Sequence, residues 1–304
     1  MNTGKTVASE VILSDKNNGM RVGVLPNYGG TLNRMEVWRN GRYWNLIDGY
    51  DDVATFQKQR FKGVCLAPFP NRIKDGRYKV NDKVYKLAHN DKFKHAMHGF
   101  VFDQHMEYRS SDTSIQLTYQ YDGSIPGYPF PFEIYIDYHL EHNTLEQTIK
   151  IENKGKEDMP FGLGWHPYFS DLGTGVDHLI LELSNAQRVE VDDRKIPTGE
   201  LSTFNRFAKP TVIGDLDVDH CFVIESNEDK VMTLQYPEQN CALSLSIKDT
   251  QSKYIQLYIP KERNAIAIEP MTCMPDAFNN GIGLQWLPPQ SHYQWTCIWE
   301  TSKI

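Results

Sequence analysis

The stretch FEIYIDYHLEHNTLEQTIKIENKG, residues 132–155, constrains the fold of this chain more than any other. Successive side chains of an extended strand point to opposite faces, so an apolar period of two marks a strand with one buried face. Ile134, Ile136, Tyr138 and Leu140 share one face. His142-Asn143 reads as the turn, and Leu145, Gln147, Ile149 and Ile151 continue on the return strand. A helix cannot satisfy that period. The same style recurs along the chain. VIL (11–13) meets the turn Asn17-Asn18-Gly19 and then MRVGVL (20–25), and MEVW (35–38) turns at Asn40-Gly41 into RYWNLI. GRYKVNDKVYKL (76–87) turns at Asn81-Asp82, and SIQLTYQY (114–121) alternates again. Beyond residue 230 come VMTLQYPEQNCALSLSIKD, KYIQLYIP and NAIAIEP. Asn-Gly and Asn-Asp pairs tolerate the left-handed backbone of tight hairpins. Only short helical turns are expected, near Asp51–Arg60 and around Pro275–Asn280. The fold class predicted is all-β: one large antiparallel β-sandwich, with residues 1–304 forming a single domain free of linkers and repeats.

The charge balance narrows the function classes. A net charge of −7 with no basic stripe argues against nucleic acid as a partner. Five cysteines, odd in number and never paired as C-x-x-C, argue against a disulfide framework or a thiolate zinc site. No apolar run approaches the roughly 18 residues of a membrane span, and the first residues carry no leader pattern. A soluble, cytoplasmic protein without membrane association is expected.

Several polar groups stand out from the strand pattern. In PFGLGWHPYFSD (160–171), three aromatic residues surround His166, whose imidazole titrates near neutrality when unperturbed. Flat aromatic walls and a few polar groups suit a sugar ring, though on this stretch alone an imidazole buried for packing is the stronger reading. Arg72, in Asn71-Arg72-Ile73, either meets a carboxylate or faces a ligand. His95 and His98 have H-x-x-H spacing, but the surroundings are not helical, and no metal site is expected. Tyr128 sits on the rigid turn Gly127-Tyr128-Pro129, and Asp219 just precedes a strand. Glu269 ends the alternation NAIAIE at the mouth of the core, either as a general base or as the partner of Arg72.

Taken together, NRI (71–73), MHGF (97–100), GYPFPF (127–132), GWHPYF (164–169), DHCF (219–222) and EPMTCMPDAFN (269–279) resemble the aldose 1-epimerase (galactose mutarotase) family. They stand in the family's order over nearly the whole chain, and the variants are similar to its bacterial mutarotase-like branch. The resemblance implies a galactose mutarotase-like supersandwich. It implies that Glu269 is the base removing the C1 hydroxyl proton and His166 the acid protonating the ring oxygen. The two would stand apart by the width of a sugar ring. Arg72, His98 and Asp219 would bind sugar hydroxyls, with Asn71 and Tyr128 as further binding residues. Trp165 or Tyr168 could touch the sugar. The implied activity interconverts the α and β anomers of a free aldohexose, with no cofactor and no metal, in a monomer or homodimer. Lys92, Lys94 and Arg206 form no compact cluster for a phosphate, so an unphosphorylated hexose is the expected substrate. A carbohydrate-binding protein without turnover, an epimerase of a modified or phosphorylated hexose, and a hydrolase pairing Glu269 with Asp219 or Asp276 are the alternatives.

Overall fold

In the computed structural model, which describes residues 10–15, 19–248 and 253–304, the alternating segments become strands of two large antiparallel sheets. The first has nine strands. Its centre is the hairpin Phe132–Glu141 and Thr144–Asn153, whose residues 142 and 143 make the turn, followed in space by His292–Ser302. The second has eight strands, with Asp219–Ile224, Tyr254–Tyr258 and Ala265–Met271 at its middle. Gly164–Trp165 and Tyr168–Ser170 both pair with Ala265–Met271. A four-stranded sheet of Val11–Asp15, Met20–Leu25, Thr31–Arg39 and Arg42–Asn45 packs beside them. Tyr138 donates to the carbonyl of Gly30 at 2.8 Å and ties this sheet to the nine-stranded one.

The period-two reading carries directly into burial. Ile134, Ile136, Tyr138 and Leu140 are buried, as are Leu145, Ile149 and Ile151. Gln147, polar in the same row, is buried because its amide donates to the Tyr138 hydroxyl at 2.9 Å. The turns at Asn40-Gly41 and Asn81-Asp82 have positive φ at both residues, as two-residue hairpins require. Asn17 and Asn18 lie outside the described residues. The two helical turns are Val53–Lys58, capped by the Asp52 carboxylate on the Thr55 amide, and Ala277–Asn280.

An aromatic slab fills the space between the large sheets. Trp165 and Phe169 from the eight-stranded sheet meet Tyr138 and Trp299 from the nine-stranded one, with ring centroids 4.7–6.1 Å apart. Directly paired residues of antiparallel strands share a face. Gln256 pairs with Glu269, Asp219 with Tyr258, and Tyr168 with Ala267. The inner face of the eight-stranded sheet therefore carries Ile255, Leu257, Ile266, Ile268 and Phe169, all buried. The outer face carries Asp219, Gln256, Tyr258, Glu269 and Tyr168. Apart from His220, which pairs with Leu257, the polar residues of these strands are gathered on the side away from the core.

Candidate active site

A cleft of about 560 Å³ opens on that outer face, and Asn71, Arg72, His98, His166, Asp219 and Glu269 all line it. Tyr128, the remaining expected binding residue, is not brought there. It is fully buried, and its hydroxyl donates to the Pro160 carbonyl at 2.7 Å. Trp165 likewise faces the slab, with its indole N–H on the Gly63 carbonyl. Tyr168 does reach the cleft and stacks on the His166 ring, 5.0 Å away and tilted by only 6°.

His166 and Glu269 are not separated by the width of a sugar ring. His166 Nε2 lies 3.2 Å from Glu269 Oε1, and the residues are 4% and 2% exposed. Burial pushes the His166 imidazole down to about 3. Burial also lifts the Glu269 carboxyl well above the carboxylate range, with Asp219 adding to the rise and Arg72 opposing it. Each charge alone is disfavoured in this pocket. A single proton shared across the 3.2 Å contact leaves the pair neutral overall, so the two groups titrate as one unit. Glu269 Oε2 has no protein partner and remains free to accept.

Arg72 does not pair with Glu269. Its Nε donates to Asp91 Oδ2 at 2.9 Å, and Asp91 also accepts from the His95 amide at 2.7 Å. The guanidinium is thereby fixed with part of its fork still facing the cleft. Two non-glycine residues in the left-handed region, Asn71 (φ 52) and His98 (φ 65), bind each other. The His98 amide donates to the Asn71 carbonyl at 2.8 Å, and the Asn71 amide to His98 Nδ1 at 3.3 Å. With Nδ1 accepting, Nε2 carries the hydrogen and becomes a donor toward the cleft. Burial, with His166 and Arg72 adding, holds His98 well below its ordinary value and thus neutral. Gly99 follows at φ +66, where a Cβ would lie 2.0 Å from the Ala67 carbonyl oxygen.

Gln256 joins the two sides of the site. It accepts from Asn71 Nδ2 at 3.3 Å and donates to Asp219 Oδ1 at 2.9 Å. Asp219 is also paired with Lys195 at 3.2 Å. Asp276 stays out of the cleft. Its amide donates to the Arg72 carbonyl and its carboxylate accepts from the Lys74 amide, both at 2.8 Å, so it braces the turn that carries Arg72. His95 lies in the same bracing layer, its ring accepting from the Asp75 amide at 2.9 Å, and it does not join His98. Among the described residues, His98, His166 and Glu269 are the group whose ligand atoms lie close enough, within 4.8 Å, to hold a metal ion. Of the three cations weighed for a phosphate, Lys92 lines the cleft, while Arg206 donates to the Ile213 carbonyl elsewhere.

Asp91, Gln256, Tyr258 and Lys195 are site residues that the sequence reading missed. Gln256 had a signal, a polar side chain inside the apolar run KYIQLYIP. Asp91 had none, since HNDKF reads as a solvated turn.

The chain matches the family model for aldose 1-epimerase over residues 10–300. It is 34% identical over 232 residues to the uncharacterized protein YihR of Escherichia coli (strain K12), covering 73% of each chain. It is 28% identical to the galactose mutarotase of Pongo abelii, over 75% of this chain and 70% of that one. A solved aldose epimerase homologue from C. elegans superposes with a TM-score of 0.86 at 23% identity, over 97% of this chain and 99% of the other. Among the described residues no helix is long and apolar enough to cross a membrane. With a family model spanning almost its whole length and the matching fold, this chain belongs to the aldose 1-epimerase family.

Proposed function

We propose that the protein interconverts the α and β anomers of a free aldohexose of the galactose or glucose type. The observation that carries this reading is the buried His166–Glu269 pair on the cleft floor, 3.2 Å apart. In a cyclic aldose the anomeric hydroxyl and the ring oxygen are bonded to the same carbon. A base for one and an acid for the other therefore need not stand far apart. With the pair's shared proton on His166, Glu269 takes the proton of the C1 hydroxyl while His166 gives its own to the ring oxygen. The C1–ring-oxygen bond breaks and a carbonyl forms at C1. Rotation about C1–C2 turns the other carbonyl face to the returning hydroxyl, and the same groups run in reverse. One proton enters and one leaves, so the pair is restored after each cycle.

Arg72, His98 Nε2 and Asp219, backed by Asn71 and Gln256, bind the ring hydroxyls and orient the sugar. Residues 1–304 are taken as one domain serving this site. The test is anomer exchange followed by NMR or polarimetry on glucose and galactose. Wild type is expected to exceed the spontaneous rate, and Glu269→Gln to lose roughly 10²–10⁴-fold of that acceleration. Wild type no faster than buffer, or a variant equal to it, overturns the proposal. Sugar binding measured without exchange would instead identify a binding protein.

A further inference from the structure

An imidazole that passes a proton through one ring nitrogen is ordinarily oriented by a hydrogen bond at the other. His166 lacks that brace. Its Nε2 meets Glu269 Oε1, while its Nδ1 is buried and finds no hydrogen-bond partner among the described residues beyond its own. The torsion that turns a histidine ring is broad and roughly two-fold, so the ring plane has to be set by packing. Resting on the epimerase reading above, we infer that Tyr168 is the positioning residue for the acid: the flat face of its ring holds the His166 imidazole in the plane that keeps Nε2 on Glu269.

The main chain brings the two rings together. His166 precedes Pro167, which confines it to extended backbone. The His166 carbonyl accepts from the Gly63 amide at 2.8 Å, the Pro167 carbonyl from Ile268 at 3.1 Å and the Tyr168 carbonyl from Asp48 at 2.9 Å, so none of the three residues is free to shift. Both rings emerge in the cleft, parallel to within 6° and with centroids 5.0 Å apart, inside the range of aromatic stacks.

Tyr168 can act as a wall because it is itself held. Tyr258 meets its ring edge-on at 6.4 Å and 87°, and the Lys62 ammonium, paired with Asp48, lies 5.8 Å from its centroid. His98 also touches the imidazole, at 5.1 Å and 69°. That edge contact bears on one line of the ring, whereas the parallel face of Tyr168 fixes its plane.

The test measures kcat and KM for anomer exchange on glucose and galactose with the full chain, Tyr168→Phe and Tyr168→Leu. The first variant keeps a flat face against the imidazole and the second removes it. Tyr168→Leu is expected to lower kcat by roughly 10–10²-fold, the scale of a misplacement of about 1 Å, with KM within about threefold of wild type. Tyr168→Phe is expected to hold kcat within about threefold. If Tyr168→Leu does not fold, Tyr168→Met carries the same comparison, its unbranched chain filling the space without a flat face. Nitrogen NMR of ring-labelled histidine in the unliganded protein adds a signature independent of turnover. The Nε2 proton resonance of His166, identified by its loss in His166→Gln, is expected in wild type and Tyr168→Phe and is expected to broaden or vanish in Tyr168→Leu. Wild-type kcat in Tyr168→Leu, a Tyr168→Phe as impaired as Tyr168→Leu, a loss confined to KM, or an Nε2 resonance that survives in Tyr168→Leu overturns the inference and leaves the epimerase reading standing. No exchange on either sugar by wild type overturns the epimerase reading, and the NMR comparison then decides alone whether Tyr168 orients the imidazole.

Discussion

At the scale of single residues, the contact between His166 and Glu269 changes how an acid and a base are pictured in this reaction. Two groups addressing oxygens on one carbon need no ring's width between them, and a 3.2 Å contact lets them share a proton between turnovers. Around them, Gln256 is the residue whose loss should separate binding from chemistry. It bonds both Asn71 and Asp219 yet touches neither proton of the cycle. Gln256→Ala removes two hydrogen bonds at the sugar-binding edge, each worth about 1 kcal/mol. KM for the preferred sugar is expected to rise about tenfold while kcat holds within a factor of about three, read from saturation curves of anomer exchange. An equal fall in kcat would instead give Gln256 a part in holding the acid–base pair.

At the scale of elements, strands and corners were legible to different degrees. The hairpin of residues 132–153 was readable because burial on one face forces a period of two, and its turn at 142–143 sits where the pattern breaks. The site itself is built from corners. Asn71, His98 and Asp276 all have left-handed backbones, and no periodicity announces such a residue. Family resemblance points to Asn71 and His98, while Asp276 enters the sequence reading only as a carboxylate partner for a hydrolase, and Asp91 is missed because its role depends on which turns meet in space. Tyr128 shows the opposite failure. An aromatic on a rigid turn is conspicuous in sequence, yet the fold uses it as a buried strut for Pro160. The corner at Gly99 gives a direct test. A methyl group there would sit 2.0 Å from the Ala67 carbonyl oxygen, at a φ that side chains avoid. Gly99→Ala is expected to cost at least about 2 kcal/mol of stability, seen as a lower urea midpoint. Because His98 precedes it, exchange activity should fall even where the variant is fully folded.

At the scale of the whole molecule, the sandwich supplies a dry, aromatic-backed floor on which buried ionisable groups are set against the fold's own stability. The slab of Trp165, Phe169, Tyr138 and Trp299 lies behind the strands that carry His166 and Glu269. That backing denies both groups water and moves them in opposite directions, imidazole down and carboxyl up. The sign of the consequence follows from proton counting. Below 4.5, the ordinary value for glutamate, Glu269 is protonated in both the folded and unfolded chain and costs nothing. Above it, the unfolded chain releases that proton and the folded chain keeps it, so stability is lost as pH rises toward the folded-state value. Each pH unit in that window costs about 1.4 kcal/mol. His166 works the other way up to its ordinary value of 6.5, since the unfolded chain binds a proton that the folded chain refuses. Between 4.5 and 6.5 the two slopes cancel in wild type, and above 6.5 the loss from Glu269 stands alone. Glu269→Gln removes that loss and retains the gain from His166. Its melting temperature is therefore expected to match wild type near pH 4.5 and to exceed it by a margin that widens through pH 8, while its exchange activity is lost. Thermal unfolding followed across that range checks the sign. A margin that is constant with pH would mean that the folded wild-type pair holds no more protons than His166 holds in Glu269→Gln.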